Sequence, residues 1–213
     1  MPNITAPALT FPGKSFPVNQ GGAPVGAMGE LALSYVMPRY STLVKSGKVF
    51  YTSAIITSSV IFTTAVQLGP MLWNRPGSGV DAHILALSVG SPSTQWTGTI
   101  AGSIGIATNI QPTAPASIGT ALTAVNAYAG GGPSQMGYVG GGGTVLILPV
   151  PQFLPLIAGS GGAVTTPIIA SPSFYDLGGA VVVNPGQVGY VAPSATLTSG
   201  VLTIGILWAE IPT

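Results

Sequence analysis

Four short stretches carry residue types that could do chemistry. Ala8 to Ser15 reads ALTFPGKS, a relaxed match to the loop in which a glycine, a lysine and a hydroxyl cradle nucleotide phosphates. That loop works only between a parallel strand and a helix whose first N–H groups face the anion. Pro7, Pro12 and Pro17 break both flanks, and no α/β alternation follows. Ala101 to Gly105 reads AGSIG, a loosened nucleophile elbow centred on Ser103. An elbow needs a sharp strand-to-helix turn and a histidine later in the chain, yet the single histidine, His83, comes earlier. Ser103 is expected as a small residue in a strand. Asp81 and His83 stand two apart and would share one face of a strand, which is half of a hydrolytic triad. The simpler expectation is a polar contact at a strand start. Asn3-Ile4-Thr5 forms a glycosylation sequon, and Trp73, Trp96 and Trp208 could line a sugar-binding face or anchor a core or an interface.

The rest of the inventory is thin. There is no cysteine, one histidine and four carboxylates in 213 residues, so thiolate metal sites and disulfides are excluded. No catalytic, cofactor-binding or metal residue is expected, and the chain does not read as an enzyme. Only nine side chains are charged, 4% of the sequence, against about 25% in an ordinary soluble domain. From residue 82 onward the only charged residues are Asp176 and Glu210. A surface this poor in charge is weakly protected against association, so it is expected to be covered by partners. Five basic residues, Lys14, Arg39, Lys45, Lys48 and Arg75, are too few for the clustered face that nucleic acid requires. Mean hydropathy is +0.59, which argues against disorder. Gly, Ser, Thr and Pro interrupt every apolar run, so no membrane-spanning helix is expected. No basic stretch followed by an apolar one opens the sequence, and synthesis in a cytoplasm is the expectation.

Residues 1–26 carry a proline every five to seven positions, with Phe11 and Phe16 between them, and read as an extended arm docked on a neighbour. Residues 27–213 read as a single β-sandwich domain preceded by one short helix near 28–37. In that helix Met28, Leu31, Ala32, Tyr35 and Val36 share a face, and Pro38 stops it. Strands are expected at 49–56, 60–68, 82–89, 95–108, 144–150, 180–184, 187–192 and 200–211, with Gly- and Pro-rich turns between them. Gly130–Gly132 and Gly140–Gly143 are expected to flank a mobile loop, PSQMGYV. In the last strand Leu202, Ile204, Ile206 and Trp208 share one face, while Val201, Thr203, Gly205, Leu207 and Ala209 share the other. Both faces are apolar or small, so one should meet the core and the other a second subunit.

The Pro-rich arm, the small helix, the charge-poor β body and the close in GILWAEIPT together resemble the decoration, or cement, proteins of tailed-phage heads. The stretch VVVNPGQVGYVAPSATLTSGVLTIGILWAEI is similar to the terminal hairpin of virus-type jelly rolls. The resemblance implies an all-β sandwich or jelly roll, a homotrimer seated on a shell of major capsid protein, location on the virion, and no catalytic residue or cofactor. No specific nucleic acid or membrane is expected as a partner. Phe11, Phe16, Leu202, Ile204, Ile206 and Trp208 are the expected interface residues. The alternatives are a carbohydrate-binding head-fibre or lectin-like module using exposed aromatics and the 130–143 loop, or a major capsid or appendage subunit.

Overall fold

The computed structural model describes residues 9–11, 14–16, 40–56, 61–90, 103–116, 118–158, 173–195 and 202–213. The chain forms two compact units, Met1–Lys45 and Ser46–Thr213. In the first, strands β1 (Leu9–Phe11) and β2 (Lys14–Phe16) pair antiparallel, with Leu9 opposite Phe16 and Phe11 opposite Lys14. A single helical turn, α1 (Ser41–Lys45), follows Tyr40. The helix expected near 28–37, and most of the expected arm, lie outside the described residues.

Among its described residues the second unit holds twelve strands. They are β3 (Val49–Ile56), β4 (Val66–Gln67), β5 (Met71–Asn74), β6 (Val80–Gly90), β7 (Ser103–Ile110), β8 (Ile118–Ala121), β9 (Val125–Asn126), β10 (Tyr138–Thr144), β11 (Gln152–Ala158), β12 (Ser173–Val183), β13 (Gln187–Pro193) and β14 (Leu202–Pro212). One sheet has the order β12-β6-β14-β3-β9 and the other β11-β7-β13-β5-β10-β4, with β8 also on β10. The pairing is nested. β3 pairs with β14, β5 with β13, β6 with β12 and β7 with β11, all antiparallel. One long hairpin folded across itself gives this arrangement, which is the double Greek key of the jelly roll. The excursion between β7 and β11 supplies β9 to the β3 edge of one sheet and β10 to the β5 edge of the other, so one side of the sandwich has both its edges paired.

Alternation explains which residues turn inward. β3 buries Phe50, Thr52, Ala54 and Ile56 and exposes Tyr51, Ser53 and Ile55. On β14 Leu202, Ile204, Ile206 and Trp208 fill the core between the sheets with Leu72, Ile84, Leu87, Ile104, Ile106 and Val191. Trp208 stacks on Phe50 at 5.9 Å between ring centroids. Each such side chain contributes about 1.5–3 kcal/mol by leaving water. These four β14 residues therefore belong to the chain's own core. The set that turns outward is Thr203, Gly205 and Leu207, so any subunit contact on this strand is made by that set.

Four local expectations are corrected. The run 60–68 pairs only at Val66–Gln67, and β10 ends at Thr144, leaving 145–150 outside any strand. The run Gly140–Gly143 is itself strand, where a loop flank was expected. Tyr138 makes this possible: its ring lies where a side chain on Gly140 would stand, and its hydroxyl donates to the Gly142 carbonyl at 3.0 Å. Gly142 has φ of 123°, a conformation that glycine alone adopts easily. Finally, Pro185 and Gly186 carry the chain from β12 in one sheet to β13 in the other, and β13 and β14 lie in different sheets. The expected terminal hairpin is thus two strands facing each other across the core.

Candidate interaction surfaces

The two sheets treat their outer faces differently. On the seven-stranded sheet Met71, Ala107, Val188, Tyr190 and Ala192 form a second cluster, covered by Val145, Phe62 and Phe153. Phe62 and Phe153 stack with centroids 4.5 Å apart and planes within 9°. The cover is fastened by polar groups. The Tyr190 hydroxyl donates to the Phe62 carbonyl at 2.7 Å, and Gln67 Nε2 donates to the carbonyls of Ile61 and Thr64. Burial pushes the Tyr190 phenol well above its ordinary pKa.

The outer face of the five-stranded sheet has no such cover among the described residues. Tyr51 is 47% exposed, Ile55 66% and Phe174 64%. Between Tyr51 and Phe174 runs a groove of about 220 Å³, floored by Ala86, Ser88 and Gly205. Its flatness depends on Gly205, because a Cβ there would press on Ser88 Oγ. The register places Phe174 opposite Ser88, and Gly205 opposite both Ser88 and Ser53, so these residues stand in one row across four strands.

A second apolar surface is the turn Leu146–Val150. Leu148 is 78% exposed and Val150 67%, with Leu146 and Ile147 also exposed. The backbone of this turn is held from below. Buried Asn109 donates through Nδ2 to the Leu146 carbonyl at 2.7 Å and to the Pro149 carbonyl at 2.9 Å. Buried Gln111 accepts from the Leu146 N–H at 2.8 Å. Two buried amides thus fix a turn whose side chains are left in water, an arrangement that gains nothing for the isolated chain.

A third fixed element is the 134–136 segment, tied to Glu210. The carboxylate is 2% exposed; it accepts from the Gln135 N–H at 2.8 Å, from Trp208 Nε1–H at 3.2 Å and from the Ser134 hydroxyl. The loop expected to be mobile is therefore pinned at its start and continues into β10.

The sequence-level candidates for chemistry do not assemble. Lys14 and Ser15 lie in β2, where a phosphate loop needs the start of a helix. Ser103 opens β7, and its hydroxyl donates to that of Ser194 at 3.3 Å. Asp81 and His83 share a face of β6 as expected, but their partners on β14 are Ile211 and Ala209, which supply no nucleophile. Trp208 is in the core, and Trp73 donates through Nε1 to the Gln111 carbonyl at 2.8 Å; Trp96 lies outside the described residues. Among the described residues no three His, Asp or Glu side chains converge on a metal position. Of Phe11 and Phe16 only the strands are described. Comparisons with protein families, curated proteins and solved structures return no match to this chain.

Sequence reasoning reached the bare sheet face only through the outer side of β14, and it missed the 146–150 turn. The period-two pattern of 49–56 already set Tyr51, Ser53 and Ile55 on one face. The turn at 146–150 gave no signal apart from its strand-like composition.

Proposed function

We propose that the chain is a structural virion protein, a decoration or cement subunit that associates with itself and clamps a shell of major capsid protein. The observation that carries this reading is a charge-poor jelly roll with two apolar surfaces, the sheet face uncovered among the described residues and the 146–150 turn. Jelly rolls of this kind serve in viral capsids and in lectins. Trp73 and Trp208, on which a sugar site would draw, have their indole N–H groups engaged inside the fold, which favours the shell over the lectin reading.

The mechanism is burial of apolar area between subunits, at about 25 cal/mol per Å² before the costs of association. A homotrimer is the expected form. The test is to purify particles from the native source and measure this chain against the major capsid protein. A fixed ratio, restored when recombinant chain is added to stripped particles, is the expected result. Absence from the particles, together with glycan binding by the free chain, would replace this reading with the lectin one.

A further inference from the structure

We draw no further inference here: the strongest candidate, the exposed apolar turn Leu146–Val150 held by Asn109 and Gln111 at the end of β7, carries nothing further, because nothing in the structure shows what covers it.

Discussion

Replacing Glu210 tests how the 134–136 segment is held to the sandwich. Glu210→Ala removes three acceptor contacts in a site 2% exposed and leaves Trp208 Nε1–H and the Gln135 N–H without a partner. Hydrogen bonds to a charged group contribute about 1.5–3 kcal/mol each, and a buried unpaired donor costs about 1–3 kcal/mol. Because the Ser134 hydroxyl can turn to water, the expected loss is about 3–5 kcal/mol. For a domain of this size 1 kcal/mol moves the midpoint by about 2–4 °C, so melting should fall by roughly 6–20 °C. Glu210→Gln keeps the shape and one acceptor oxygen, but its amide group meets the Trp208 donor; about half the loss is expected. The assay is thermal and urea unfolding followed by tryptophan fluorescence, at one protein concentration so that self-association is held constant. An alanine variant within 1 kcal/mol of wild type, or a glutamine variant as damaged as the alanine one, would refute this account of the site.

Asn74 staples the two sheets, donating from β5 to the carbonyls of Val80 at 2.7 Å and Val183 at 2.9 Å; Asn74→Ala is expected to cost about 2–4 kcal/mol in urea unfolding. The raised pKa of Tyr190, and in the same direction that of Tyr138, means that the folded chain keeps these protons longer than the unfolded one. Their contribution is intact below pH 10, where both states are protonated. It falls above that value, for Tyr190 by at most about 1.4 kcal/mol per pH unit and less once solvent screening is counted, and Tyr190→Phe should flatten the decline in a pH series of melts. Particles washed in 1 M NaCl should retain the protein, since charge contacts are screened within about 3 Å there and apolar ones are not. Sulfate should strengthen retention and guanidinium weaken it; release by NaCl alone would count against apolar attachment.

The strands that face the core were readable because their alternation is strict. Val49–Ile56 matches the expected limits, and β14, described from Leu202, runs one residue past the expected end at 211. The face of β14 that meets the core was not readable, since Leu202 to Trp208 and Thr203 to Leu207 are both compatible with burial and only the β3 and β6 registers choose between them. Two apolar runs were misread for one reason. Phe62 and Val145 lie in the segments that cover the outside of a sheet, a use of β-branched and aromatic residues that composition does not separate from strand. The glycines of β10 misled in the opposite sense, because the residue that allows a strand there is Tyr138, two positions before Gly140. The polar pins at Asn74, Asn109, Gln111 and Glu210 left no trace in any local pattern; their partners lie up to 109 residues away.

The nested pairing also sets a clock. The groove between Tyr51 and Phe174 is built from distant parts of the chain: β3 comes early, and the floor strand β14 roughly 150 residues later. At synthesis rates of roughly 5–20 residues per second, some 8–30 s separate the emergence of these strands from the ribosome. The groove has no floor until β14 threads between β3 and β6, so a nascent chain does not yet present this face. The turn at 146–150 is made sooner, since Asn109 and Gln111, which hold it, precede it in the chain. A high-contact-order topology folds slowly, and here that slowness would confine assembly to finished subunits.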